Sequence, residues 1–190
     1  MAYLCVGLLL FFGVHSSSIV APHWRDRSVL RLGAMAWRGG YSLLSLAALL
    51  LIIHGFALAR AAPIAWYTPA AWSHAVARVL MVPVFPLLLA AYLPGRIRTA
   101  AKHPMLVAIK LWAFAHLLAN GNAADVLLFG GFLAWAVIDR ISLKRRAPRA
   151  LPAAPASKWN DAITVVAGLT IYALFAGWAH LRLFGVAPYG

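Results

Sequence analysis

Histidine supplies most of the chemistry open to this chain. It has seven histidines, against four carboxylates (Asp26, Asp125, Asp139, Asp161), no glutamate and a single thiol, Cys5. So few acids remove most general acid/base and carboxylate-metal schemes. One cysteine cannot form a disulfide, or a thiolate zinc or iron–sulfur site, within one chain. What remains is imidazole. Neutral imidazole is a good iron ligand, and two of them on different helices can hold a haem.

Two of the seven lie deep in apolar stretches. His15 stands in GVHSS, within the run Tyr3–Pro22, and His116 stands in WAFAH, within Lys102–Asn122. At about 1.5 Å per residue, His15 lies about 18 Å below the outer edge of a membrane and His116 about 18 Å above the inner edge. In a hydrocarbon core of about 30 Å the two depths differ by roughly 6 Å, so the rings can face one another. Ionisable groups at such depth are costly and mark function. A haem held by His15 and His116 is therefore one expectation. The plainer alternative for a single intramembrane histidine, such as His54 or His180, is a hydrogen-bonded helix contact.

The helical stripe around His116 has Trp112 and Ala113 one turn before it and Asn120 one turn after. Small Ala113 leaves room for a flat ring. His54, His103 and Lys110 are secondary candidates; His23, His74 and His103 fall at interfaces. Lys110 starts about seven residues from its helix end and is expected to snorkel inward. The other partner open to it is a haem propionate or a similar anion.

The elements that must position these residues are membrane helices. The 190 residues are 64% hydrophobic with mean hydropathy +0.82 and net charge +13. Soluble domains sit near half apolar, so an all-α, polytopic transmembrane bundle is expected. The basic residues cluster in connectors between apolar segments, which argues for membrane orientation and against nucleic acid as partner. About six spans can be read: Tyr3–Pro22, Tyr41–Ala59, Trp72–Leu93 kinked by Pro83 and Pro86, the His103-Pro104 helix, one to about Ile138 capped by Asn122 and Asp125, and Asp161–Phe184. Gly130 and Gly131 allow close helix contact in the fifth. A basic Pro/Ala-rich linker, residues 140–160, holds Arg140, Lys144, Arg145, Arg146, Arg149 and Lys158. Connectors one, three and five carry nearly all the charge, so they face the cytoplasm and both termini face outward. The first run has its arginines after it, which reads as a retained anchor, not a cleaved leader.

The segments GLLLFFGVHS, RLGAMAWRGGYSLLSLAALLLI, AYLPGRI, HPMLVAIKLWAFAHLLANG and FGGFLAWAVIDRISLKRR resemble the NnrU family of bacterial membrane proteins, most diagnostically over residues 8–146 of one domain spanning 1–190. That resemblance implies an inner-membrane protein linked to nitrite and nitric oxide reductases, with such respiratory or denitrification reductases as partners. The same segments are similar to the plant zeta-carotene isomerase family, which holds haem b and isomerises a cis double bond. Its two axial histidines, carried over residue by residue, fall on His15 in GVHSS and His116 in WAFAH. The resemblance thus implies haem b as cofactor and, as an alternative activity, cis-trans isomerisation of a carotenoid-like polyene. That family has a cysteine three residues before the second ligand, where this chain has Ala113, so a thiolate switch is not available there. A third alternative is a membrane anchor or assembly factor without catalysis. His103-Pro104 also resembles the R-H-P opening of isoprenylcysteine methyltransferase-like enzymes, but their acidic residues and C-terminal cofactor segment are missing.

Overall fold

The computed structural model describes residues 1–146 and 152–189, so Arg149 of the basic linker lies outside the described residues. Eleven α-helices and one π-helical turn, and no strand, occur among the described residues. Three helical stretches are long and apolar enough to cross a membrane: Ala34–Ala61, Ala71–Ala90 and Asn160–Phe184. Two further apolar helices are shorter, Ala2–His15 and Pro104–Ala119. Their 14 and 16 residues give about 21 and 24 Å, short of a core of about 30 Å. The fifth expected segment, Ala123–Ser142, holds Asp125, Asp139 and Arg140 within its 20 residues.

The chain sorts into two compact units, residues 1–68 with 121–142, and residues 69–120 with 143–190. In the first unit, α1 (Ala2–His15) packs along α4 (Ala34–Ala61), and α9 (Ala123–Ser142) packs on both. The crossing of α1 and α4 is close because glycine stands on each side. A Cβ on Gly55 would lie 2.3 Å from the backbone N of Leu4, and one on Gly7 would lie 2.8 Å from the backbone N of Ile52. Without a Cβ the two backbones approach and gain dispersion contacts, which substitute for the hydrophobic effect in lipid. Of the Gly130-Gly131 pair, Gly131 makes the inter-helix approach, against Phe12.

The first apolar run is not one continuous helix. It ends at His15; Ser16 takes up the turn, α2 spans Ser17–Val20, and α3 spans Pro22–Leu32. Pro22 explains the second break, since the residue before a proline is driven out of the α region, and Ala21 sits at φ −135°, ψ 59°. The expected basic connector is thus helical. Gly33, at φ 83°, then turns the chain into α4. The loop between α4 and the second unit is tied back by Trp66 N–H and Tyr67 N–H, both donating to the Gly121 carbonyl at 2.8 and 3.1 Å. The expected cap of α9 is present in part: the Asn122 N–H donates to the Asp125 carboxylate at 3.3 Å, the return bond of a capping box.

In the second unit, α5 (Ala71–Met81) and α6 (Val84–Ala90) are separated at Pro83, as expected. Both pack on α8 (Pro104–Ala119), and α10 (Asn160–Leu174) packs on α6, where Gly168 meets the backbone of Pro86. The last helix holds a π-helical turn, Phe175–Ala179, before α11 (His180–Phe184). The linker's described end is pinned down, which the sequence did not reveal. Asn160 is buried and its side-chain amide donates to the carbonyls of Pro94 and Pro155 at 2.8 and 3.1 Å. The Asp161 carboxylate accepts the N–H groups of Arg96 and Ile97 at 2.9 and 3.1 Å, so it caps α7 (Arg96–Ala101) from 64 residues away. Asp161→Ala removes the acceptor for two helix-start donors and should lower the unfolding midpoint in detergent. Asp161→Asn, which keeps one oxygen, should fall between the two. Equal midpoints for all three proteins would rule out this tie.

Candidate functional site

Helix α8 begins and ends under tight local control. Lys102 closes α7 at φ 58°, ψ −46°, and the His103 N–H donates to Ala101 O at 2.6 Å across it. This is a three-residue turn in a region that β-carbon residues avoid. His103 follows in extended form (φ −134°), as a residue before proline must, and Pro104 opens the helix. Lys102→Gly should therefore stabilise the protein by about 1 kcal/mol, from relief of about 1–3 kcal/mol of strain less about 0.5–1 kcal/mol of glycine entropy. Thermal unfolding followed by circular dichroism checks it; a lower midpoint for the glycine variant would contradict the strain.

At the other end of α8 both the backbone N–H and the side-chain amide of Asn120 donate to His116 O, at 2.9 and 3.0 Å. Asn120 thus fixes the end of the turn that carries His116. The His116 ring sits 5.4 Å from the Trp112 ring, centroid to centroid. Its Nδ1 lies 2.8 Å from the Trp112 carbonyl. A carbonyl only accepts, so Nδ1 must carry the proton, and in the neutral ring Nε2 carries the lone pair. Ala113 is fully buried, its methyl spent on packing. Lys110 is half-buried on the same helix and forms no ion pair among the described residues.

His15 repeats this arrangement in the first unit. Its Nδ1 lies 2.8 Å from the Phe11 carbonyl, again one turn earlier, so Nε2 again carries the lone pair in the neutral ring. Three elements wall the ring: Phe11 of α1 stacks on it at 3.9 Å, Tyr41 of α4 lies at 5.2 Å, and Trp135 of α9 meets it edge-on at 6.0 Å. Phe11 lies one helical turn before His15 in the chain, whereas Tyr41 and Trp135 arrive only through tertiary contacts. The indole Nε1 of Trp135 is the one buried side-chain polar atom without a partner among the described residues. Such orphan donors are rare and call for an acceptor. His54 lies on the exposed face of α4, its ring edge-on to Tyr3 at 5.5 Å. His180 has its Nδ1 2.7 Å from Val186 O beside Phe175 and Phe184. Outside the membrane helices, burial first and the Asp125 charge second hold the Tyr67 phenol above its ordinary range.

No group of three or more His, Cys, Asp or Glu side chains converges on a metal-sized point among the described residues. A haem needs only one or two protein ligands because the macrocycle supplies the rest. Each imidazole taken by itself suits iron: Nδ1 is committed to the carbonyl one turn earlier, which puts the lone pair on Nε2, and an unsatisfied indole N–H stands beside His15.

Apolar helices of spanning length, lipid-compatible outer faces and polar side chains confined to a few helix stations define an all-α polytopic membrane protein. Within that class the chain belongs to the NnrU family: the family model, described as NnrU protein, matches residues 3–188, nearly the whole chain. No curated protein and no solved structure matches it.

Proposed function

We propose that this NnrU family member binds a haem b in the bacterial inner membrane, that His15 and His116 are the residues that would hold its iron, and that it serves nitrogen-oxide metabolism through it. One observation carries the reading. Each of these histidines commits Nδ1 to the carbonyl four residues back at the same 2.8 Å, which sets the tautomer and aims Nε2 away from its own helix. The order of the two deep histidines along the chain, and their match to the ligands of a haem-holding relative, supports the same assignment. The haem, when bound, would supply one-electron chemistry at iron.

The residues of this chain have separate tasks. Phe11 and Trp112 orient the imidazoles through their carbonyls, and Asn120 fixes the turn beneath His116. Phe11, Tyr41 and Trp135 keep water from the His15 ring and restrict its rotation. The Trp135 N–H would donate to an acceptor on the bound group, which would remove the cost of about 1–3 kcal/mol for a buried unsatisfied donor. The nitrogen-oxide role draws on the reductase link that the family resemblance implies. Protein produced with ample haem should show a Soret band, and a pyridine haemochrome of b type after extraction. A colourless preparation under those conditions would overturn the assignment.

A further inference from the structure

The first unit has a second polar feature, at the point where α1 gives way to α2 and α3. A pocket of about 250 Å³ opens there, lined by the guanidinium residues Arg25 and Arg38, the hydroxyls of Ser17, Ser18 and Ser42, and the rings of Trp37 and Tyr41. That volume equals about eight waters at roughly 30 Å³ each. Of the unit's other serines, Ser28 donates to Trp24 O at 2.9 Å and Ser45 to Tyr41 O at 2.7 Å, while Ser16 and Ser142 make no side-chain bond among the described residues. The three pocket serines make no such bond among the described residues. Arg38 has no ion pair among them either. Arg25 is paired with Asp26 through one nitrogen at 2.9 Å and lies 5.9 Å over the Trp37 ring. The other acid of the neighbourhood, Asp139, is buried on α9 and acts on the Tyr41 phenol.

Two forked guanidiniums and three free hydroxyls offer more donors than a single carboxylate, with about four lone-pair sites, can accept. They match a tetrahedral phosphate. The location adds the second constraint. Helix α3 exposes Trp24, Leu30 and Leu32 while also carrying Arg25, Arg27 and Arg31. A helix with bulky apolar and basic side chains both outward lies in the headgroup layer. Trp24 stands edge-on to Trp37 at 5.7 Å, joining that interfacial face to the pocket wall. We propose that the pocket binds a phosphate group at the membrane boundary, that of an anionic phospholipid headgroup seated against α3. Free phosphate offers the same chemistry. The pocket shares Tyr41 with the wall of the His15 ring, but lipid binding is read without reference to haem content.

The test uses the full chain in detergent with palmitoyl-oleoyl phosphatidylglycerol, phosphatidylcholine of the same chains, or inorganic phosphate, with binding followed by native mass spectrometry. Wild type should retain phosphatidylglycerol in preference to phosphatidylcholine, whose cationic choline opposes the arginines. The Arg25→Gln/Arg38→Gln variant should bind it roughly tenfold or more weakly, because charge-assisted hydrogen bonds are lost. Arg31→Gln, which removes the same charge from an exposed position outside the pocket, should bind as wild type does. Arg38→Gln alone, at an exposed position, replaces the double variant if that one loses helical circular dichroism. Inorganic phosphate that binds wild type and displaces the lipid would support the phosphate site and name the free anion as its source. Equal lipid binding by wild type and the arginine variants, an equal loss in Arg31→Gln, or no binding of lipid or phosphate by wild type would overturn the proposal.

Discussion

Alanine at either His15 or His116 is expected to remove most of the haem from the purified protein, with helical content unchanged. The size of the effect follows from what the side chain is asked to do. Removing an outer-shell partner of a metal-bound histidine costs about 10- to 100-fold in affinity, and loss of the ligand itself should exceed that range. Neither ring is needed for packing in the sense that Leu4 is: both are half-buried, so truncation opens little cavity. Added imidazole should restore part of the b-type spectrum to the single variants by filling the space left behind. His54→Ala is the matched control, because its ring lies on the exposed face of α4 against Tyr3. Full haem retention in the double alanine variant would remove His15 and His116 as ligands. Equal loss in the His54 variant would make the effect one of general stability.

Gly55→Leu should be the most disruptive single substitution in the first unit. A Cβ at Gly55 would stand 2.3 Å from Leu4 N and 2.7 Å from both Leu4 Cα and Tyr3 C. These are backbone atoms of the facing helix, so no rotamer change relieves the clash and α1 must move. Overpacking of this kind costs about 1–3 kcal/mol and often more. Gly55→Ala should already fall in that range, and Gly55→Leu should leave α1 unable to seat on α4. A Cβ at Gly13 or Gly39 meets nothing within 4 Å, and alanine there should be neutral or stabilising by up to about 1 kcal/mol. Unfolding midpoints of the four variants in one detergent decide it. A Gly55→Ala midpoint at or above that of Gly13→Ala would show that the α1–α4 approach is looser than described.

Much of the architecture was legible because lipid imposes it. Long apolar runs must be helices, since no water is present to satisfy a free backbone, and the proline and Asn-Gly punctuation told where they stop. The breaks at Pro22, Pro83 and His103-Pro104 fall where the sequence marks them. Helix lengths were less legible. A window of hydropathy counted Val20 with α1, although the chain turns at Ser16, and it ignored that α9 buries Asp125 and Asp139. The helical character of residues 22–32 was hidden because their polar and apolar residues alternate without a long run.

His15 and His116 stood out from sequence alone for a plain reason. An imidazole in a greasy helix is costly, and helical rise converts residue number into depth. The two i to i−4 bonds are also local, so the tautomer at each ring follows from its own helix. Everything that arrives from elsewhere in the chain needed tertiary structure: Tyr41 and Trp135 around His15, Asp161 on the start of α7, and the gathering of Arg25, Arg38 and three serines into one pocket. The sequence by itself determined that this is a polytopic helical membrane protein with two histidines inside apolar stretches, because solvent exclusion acts on each segment alone. Only the tertiary structure decided what surrounds those segments, because helix crossing depends on where a missing Cβ lets two backbones meet.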